Sequence, residues 1–158
     1  MTEAVALCRR EGLAPPATDQ PRSSMRERAA EAEVLPACAR LGLGVVVFSP
    51  LAQGMLTGKY RRAGTVPEGS RAADPEGRMF IHRFFTKEHF ARVERLRSLA
   101  ASLGIELGQL AIAWVLRRPE VTSAIVGASR PDQVDGNVTG VGVDLDAETL
   151  RRIEEALG

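Results

Sequence analysis

The segment Val45-Val46-Val47-Phe48 is apolar at every position and is bounded by Gly44 and by Ser49-Pro50. A strand that is apolar on both faces is typical of a parallel sheet with helices on both sides, or of a barrel, whereas a strand with one wet face alternates. Two further stretches predict strands, an apolar run at 121–126 and an extended segment from Leu13 to Gln20. The chain must therefore cover its strands with helices.

Helical patterns occupy the intervals between these strands. A long connection from Gly54 to Phe85, rich in Gly, Arg and Pro, is predicted as a functional or mobile loop without regular structure. Strands alternating with helices predict an α/β fold in one domain, residues 1–158, whose three strands are parallel neighbours in chain order. Three strands are too few to close a barrel. The predicted helices cover 2–11, 25–41 with a kink at Pro36, 86–103 capped by Thr86, 107–118, a helix capped by Ser129, and 146–157.

Composition narrows the classes of function. At 158 residues and 44% hydrophobic the chain is long enough for an ordinary core. Its formal net charge of +1 provides no global field toward nucleic acid or a membrane, and no apolar run approaches membrane-spanning length. Cys8 and Cys38 lie in helical patterns and are expected to be buried, reduced thiols. With an N-terminus that lacks a signal-peptide core, these features predict a cytoplasmic protein.

The first of two strand-to-loop junctions, from Ser49 to Lys59, carries features of an anion site. A tight turn follows Phe48, and its backbone N–H groups are predicted to face an anion. Gln53-Gly54 permits close approach of the backbone, and Lys59 and the later Arg71 add positive charge. The residues predicted to line this junction are Phe48, Ser49, Pro50, Leu51, Ala52, Gln53, Lys59 and Arg71.

The second junction, from Gly127 to Asn137, follows the last predicted strand. Ser129, Gln133 and Asn137 are spaced by four residues, which places them on one helix face, and Arg130 can bind a phosphate monoester. In (β/α) barrels, phosphates bind at the carboxyl ends of strands near helix N-termini. The two junctions together therefore predict a phosphate-bearing ligand.

Each of these residues also has a structural explanation. Ser129 can serve only as a helix cap, and the polar side chains of Gln133 and Asn137 can simply face solvent. Phe48 can be a residue of the hydrophobic core. The two histidines, His82 and His89, have neither triad-like nor metal-ligand spacing, so surface positions are expected for both and no metal site is predicted.

Several of these segments, in this order, resemble the aldo-keto reductase superfamily, in particular its bacterial general-stress reductases and voltage-gated potassium channel beta subunits. Ser-Pro-Leu-Ala-Gln-Gly-Met-Leu-Thr-Gly-Lys-Tyr, at 49–60, is similar to the family's strand-seven loop. Ala-Ile-Ala-Trp-Val-Leu at 111–116 and the stretch at 122–134 resemble its helix seven, strand eight and following helix. Asp19-Gln20-Pro21 resembles the end of strand six.

The resemblance implies a cofactor and a fold. The chain would be the C-terminal part of a TIM (β/α)8 barrel, strands six to eight with their helices, and the barrel would be incomplete. Gln20 would contact the nicotinamide carboxamide of NADP, Phe48 would lie beside the nicotinamide ribose, and the rest of the first junction would line the pyrophosphate, covered by Arg71. The residues implied to hold adenine and its 2′-phosphate are Gly127, Ser129, Arg130, Gln133 and Asn137.

The sequence also departs from the family pattern. Ser23 stands where an aromatic residue usually stacks on the nicotinamide, and Gly136 stands where an acidic residue is common. The family's catalytic tetrad lies in the first half of the barrel, so no catalytic residue is assigned within this chain. The implied parent reaction is NADPH-dependent carbonyl reduction. A non-catalytic nucleotide-binding or regulatory module, and a structural fragment that associates with itself or with a missing half-barrel chain, remain alternatives.

Overall fold

A three-stranded parallel sheet organises the protein, whose computed structural model describes residues 1–61 and 66–158. The strands β1 (Thr18–Asp19), β2 (Gly44–Phe48) and β3 (Ser123–Ile125) lie in that order, and both pairings are parallel. Phe48 is the register partner of Ile125. The predicted α/β class, the parallel pairing and the strand order are therefore confirmed.

Helices separate the strands and form most of the core. Thr86 caps α4 (Lys87–Ser102) as predicted, because its hydroxyl accepts the His89 N–H at 3.2 Å. Asp146 caps α7 (Ala147–Leu157) by accepting the Thr149 N–H at 2.7 Å. Trp114 is fully buried, and the guanidiniums of Arg117 and Arg28 lie 3.6 and 5.1 Å from its ring centroid. The helices are α1 (Thr2–Arg10), α2 (Val34–Leu41), α3 (Pro75–Ile81), α4 (Lys87–Ser102), α5 (Leu107–Leu116), α6 (Pro131–Thr139) and α7 (Ala147–Leu157).

The predicted helix at 25–41 is wrong in its first half. The Ser24 hydroxyl accepts the N–H groups of Arg26 and Glu27, which holds this stretch in a turn. A short 3-10 helix, Ala29–Glu31, follows, and α2 begins only at Val34. Pro36 therefore lies in the first turn of α2, where its missing N–H breaks no intrahelical bond and the predicted kink is not needed.

The connection predicted as a structureless loop contains regular structure. Two 3-10 segments, Ala52–Thr57 and His82–Phe84, lie within or beside it. Asp74 caps α3 by accepting the Gly77 N–H at 2.9 Å, with Pro75 at the first helical position. Asp-Pro-Glu is a recognisable helix start, and the abundance of Gly and Arg around it concealed that pattern.

The two faces of β2 are covered unequally. Val45 and Val47 are fully buried on one face, whereas Val46 and Phe48 on the other face are half-buried.

Among the described residues, no single helix has the length and apolar character of a membrane span. The helices α4 and α5 meet these criteria only when taken together, and the pair is bent by 91°.

Candidate functional site

The first and second junctions begin side by side at one edge of the sheet. Phe48 ends β2 and Ile125 ends β3, and these two residues are paired in the parallel register. The carboxyl ends of parallel strands form the usual ligand-binding edge of α/β folds. The sheet thus unites two segments that are almost eighty residues apart in the chain.

The first junction has an unusual backbone. Ser49, Ala52 and Gln53 all have positive φ, at 62°, 47° and 60°, although none is glycine. Such conformations are uncommon outside glycine and persist where the surrounding structure enforces them. The turn is therefore held in one shape by its surroundings.

Hydrogen bonds within this turn correct one prediction. The Ala52 N–H donates to the Ser49 carbonyl at 3.0 Å, and the Gly54 N–H donates to Leu51 at 2.9 Å. These two N–H groups stabilise the turn and do not face an anion. The side chains of Pro50 and Ala52 are buried, so these residues can offer a ligand only backbone atoms, whereas Leu51 is half-buried.

A polar group forms on the outer side of the first junction. The Gln53 amide donates to the Ser49 hydroxyl at 2.8 Å and accepts a hydrogen bond from the Arg71 guanidinium. Lys59 is exposed, and a β-carbon at Gly54 would lie 3.3 Å from its ammonium nitrogen. The Lys59 side chain thus occupies the space that the missing side chain of Gly54 leaves beside the backbone. The structure unites Ser49, Gln53 and Arg71, as the sequence predicted for one site.

The second junction is exposed and held by local side chains. Ser129 is not the helix cap, because α6 begins after Arg130; instead the Gln133 side-chain oxygen accepts the Ser129 N–H at 2.8 Å. Gly127 is exposed, with open space where a β-carbon would lie, and Asn137 is half-buried on α6. This loop can receive a ligand without displacing packed side chains.

The cation of the second junction is paired with a neighbour. Arg130 and Asp132 form an exposed ion pair with a nitrogen–oxygen distance of 3.2 Å. The hydrogen bond from Arg130 lowers the pKa of Asp132, and the same bond raises the pKa of Arg130. Because both side chains are solvent-exposed, a phosphate can replace the carboxylate at small cost.

The edge of the site beside β1 contains an arginine that was not among the predicted site residues. Gln20 is exposed just beyond β1, and Ser23 is buried with its N–H donating to the Phe48 carbonyl at 3.2 Å. Arg22, between them, places its guanidinium carbon 5.2 Å from the centroid of the Phe48 ring. An arginine two residues after a predicted site residue was the available sequence signal.

Two other residues have settings that bear on the site. Tyr60, which ends the segment similar to the family's strand-seven loop, is buried, and its hydroxyl accepts the Ala72 N–H at 3.4 Å. His89, predicted at the surface, is half-buried; its Nδ1 lies 3.1 Å from the Phe84 carbonyl and its Nε2 contacts Arg26. Burial and the adjacent Arg26 lower the pKa of His89. Cys38 is buried as expected, whereas Cys8 is only half-buried.

Comparison with known proteins identifies the family. The model of the aldo/keto reductase family matches residues 1–157. This chain belongs to the aldo/keto reductase family. The resemblance to the channel beta-subunit subgroup is also confirmed, because the chain is similar to a probable voltage-gated potassium channel subunit beta of Oryza sativa (36% identity over 98% of this chain) and to one of Arabidopsis thaliana (38% over 99%).

Enzymes are also among the relatives of this aldo/keto reductase chain. It is 36% identical over 87% of its length to the NADH-specific methylglyoxal reductase of Escherichia coli. It covers 42% of that enzyme and 48% of each of the two plant proteins. The chain therefore spans about half the length of the curated relatives it matches. The family implies a TIM barrel, of which the three-stranded sheet is an unclosed part.

Proposed function

We propose that residues 1–158 are one domain carrying strands six to eight of an aldo/keto reductase barrel, and that they hold NADP(H) at the carboxyl edge of the sheet. The parent reaction is reduction of a carbonyl by NADPH. The pairing of Phe48 with Ile125 carries the proposal, because it places the first and second junctions side by side. Two junctions rich in hydroxyl, amide and basic groups suit a ligand with phosphates at two points.

The proposed roles along the cofactor are those that the resemblance to the family implies. Gln20 and Phe48 lie at the nicotinamide end. The first junction, with Arg71 joined to Gln53, lies along the pyrophosphate. Arg130 and Ser129, with Gln133 and Asn137 on α6, lie at the adenosine 2′-phosphate and adenine.

The discrimination between NADPH and NADH tests this assignment. Arg130→Ala should weaken NADPH binding about tenfold to hundredfold, because a charge-assisted hydrogen bond to the 2′-phosphate is lost, and should leave NADH binding nearly unchanged. Calorimetric titration of both cofactors measures both effects. The test matters because one relative is named as NADH-specific.

A matched control and two contrary outcomes complete the experiment. Arg10→Ala removes an equally exposed arginine paired with Glu11 at the end of α1, and should change neither affinity. Equal loss for both cofactors in Arg130→Ala would show that Arg130 serves the fold. Absence of binding by the parent chain would refute retained cofactor binding.

Catalysis is expected to need residues outside this sequence. Tyr60 is the only tyrosine, and it is 1% exposed, so it cannot protonate a substrate carbonyl. The 158-residue chain alone should not reduce aldehydes with NADPH. Robust turnover by the pure chain, abolished by a substitution within it, would contradict this expectation.

A second candidate role is association through the open sides of the sheet. β1 and β3 are edge strands, and unpaired edges readily pair with other chains. Exposed apolar residues lie on β3 and on the segments that follow it in the chain, namely Ile125, Val134, Val138 and Val141, with exposures between 46% and 64%. We propose that another copy, or a chain carrying the other half-barrel, covers these sides. Sedimentation should show mass increasing with concentration or with that chain; a compact monomer would exclude self-association.

A cytoplasmic location, free of nucleic acid and membrane partners, belongs to the same proposal. The near-zero net charge supports it, and so do the two cysteines, which form no disulfide with each other. Fractionation of cells that produce the protein would test the location.

A further inference from the structure

Arg22 lies beside Phe48 and belongs to a group of arginines outside the predicted cofactor contacts. The Arg22 guanidinium stacks over the Phe48 ring, with 5.2 Å between its carbon and the ring centroid. Its position is fixed by backbone bonds on both sides, because the Phe48 N–H donates to the Pro21 carbonyl at 3.1 Å and the Ser23 N–H donates to the Phe48 carbonyl at 3.2 Å. Arg22 is thereby held at the carboxyl edge of the sheet.

The charge of this group is only partly balanced. Arg22 and Arg83 both donate to the same oxygen of Glu27, at 3.1 and 2.8 Å. One carboxylate thus serves two guanidiniums. The other oxygen of Glu27 is buried and has no hydrogen-bond partner among the described residues.

The neighbouring charges do not remove the excess. Arg26 contacts the Nε2 of His89, and Arg92 pairs with Glu88 at 2.6 Å. The Nε of Arg26 is buried without a partner in the described part of the chain. Four arginines, Arg22, Arg26, Arg83 and Arg92, thus stand against two carboxylates, Glu27 and Glu88, which leaves positive charge in excess in the group that includes Arg22.

We infer that Arg22 binds an anionic substituent, a carboxylate or a phosphate, of the carbonyl substrate. The inference rests on the proposed function, because Phe48 marks the nicotinamide end only if the cofactor binds as proposed. Arg22 is accessible, with 40% of its side chain exposed, and guanidinium matches the planar geometry of such groups. The substrate class is therefore a small aldehyde or ketone with a negative charge near the reacting carbon.

Binding of substrate-sized anions to the whole chain tests the inference without turnover. Benzoate, phenyl phosphate and the neutral benzamide are titrated separately while the backbone amide signals of residues 20, 22–27 and 48 are followed by NMR. One of the two anions should bind at least about tenfold more tightly than benzamide, since a hydrogen bond to a charged group is lost with the neutral probe. The tighter anion identifies the substituent.

Three variants assign the effect. Arg22→Gln should reduce binding of the preferred anion to the level of benzamide. Glu27→Gln should strengthen it severalfold, because the competing carboxylate is removed. Arg10→Gln, the same change at an exposed ion pair at the far end of α1, should have no effect.

Contrary outcomes are distinct from failure of the cofactor proposal. The inference would be overturned if the anions and benzamide bound equally, or if Arg22→Gln left the anion affinity unchanged. Arg22 would then only share Glu27 with Arg83. NADPH titration of the same samples is scored separately. If the chain binds the anion but not NADPH, the cofactor proposal is refuted and Arg22 is retained as an anion ligand. If the chain binds NADPH but not the anion, only the proposed substrate class is refuted.

Discussion

The first and second junctions begin at paired residues of neighbouring strands and are nevertheless built differently. In the first, Ala52, Met55 and Leu56 are completely buried, and the turn is fixed from beneath by the core. In the second, Ser129 and Arg130 are exposed and are held by Gln133 and Asp132 two to four residues away. The first junction is therefore preformed by packing, whereas the second is shaped by side chains that a ligand can displace. Substitutions should change stability in the first and binding in the second.

The largest effect is expected from the core beneath the first junction. Leu56→Ala should lower the free energy of unfolding by about 2–5 kcal/mol, because a buried leucine leaves a cavity. Val134→Ala, on the exposed face of α6, should change it by less than about 0.5 kcal/mol. Urea unfolding measures both. Similar losses for the two variants would contradict the contrast between the junctions.

A matched pair of glutamines separates the two backbones. Gln53→Val places a β-branched residue at a φ of 60° and should cost about 1–2 kcal/mol beyond the lost hydrogen bonds. Gln133→Val replaces a residue on helix α6 and should cost only about 0.5 kcal/mol. Urea unfolding with circular dichroism would compare them. A tolerated Gln53→Val would mean that the turn is adaptable.

The ion pair of the second junction allows a gain in binding. Asp132→Asn removes the carboxylate that competes for Arg130 and should tighten NADPH binding roughly twofold to fivefold, the range expected for an exposed pair. Glu11→Gln, which breaks the exposed pair with Arg10, should leave the affinity unchanged. Fluorescence titration measures both. Weaker binding in Asp132→Asn would show that Asp132 orients Arg130 instead of competing for it.

The smallest expected effect is a response to pH that neither junction produces. The pKa of His89 is lowered by burial and by Arg26 and Arg92, and these effects outweigh the opposing hydrogen bond with the Phe84 carbonyl and the charge of Glu88. The unfolded chain therefore binds the proton more readily, and stability falls as the pH drops through the ordinary histidine pKa of about 6.5 toward the lowered value. Above about pH 6.5 this contribution is fully present.

His89→Gln should flatten this part of the pH profile. His82→Gln, at an exposed histidine, is the matched control and should retain the profile. Thermal unfolding between pH 5 and 8, a range chosen to span about 1.5 units on either side of the ordinary histidine pKa, would measure the difference. An unchanged profile in His89→Gln would assign the response to another group.

Local patterns in the sequence were sufficient for much of the fold. The apolar β2, the Thr86 cap of α4 and the helix around Trp114 were all predicted correctly. Each of these features depends on periodicity or capping within a few residues, so it can be predicted without knowledge of tertiary contacts. The order of the three parallel strands also followed, because alternating strands and helices permit few other arrangements.

Tertiary structure decided the details of the candidate site. The sequence predicted that the Ala52 N–H faces an anion, but in the structure it donates a hydrogen bond within the turn. The residues of this turn with positive φ are held by the core beneath them. Arg22 reaches Phe48 only because two backbone hydrogen bonds join segments twenty-six residues apart. The sequence by itself determined most of the strands and helices, since that information is local, although the start of α2 and the presence of α3 were not predicted. Which N–H groups and charges are available to a ligand depends on non-local contacts, and only the packed chain defines them.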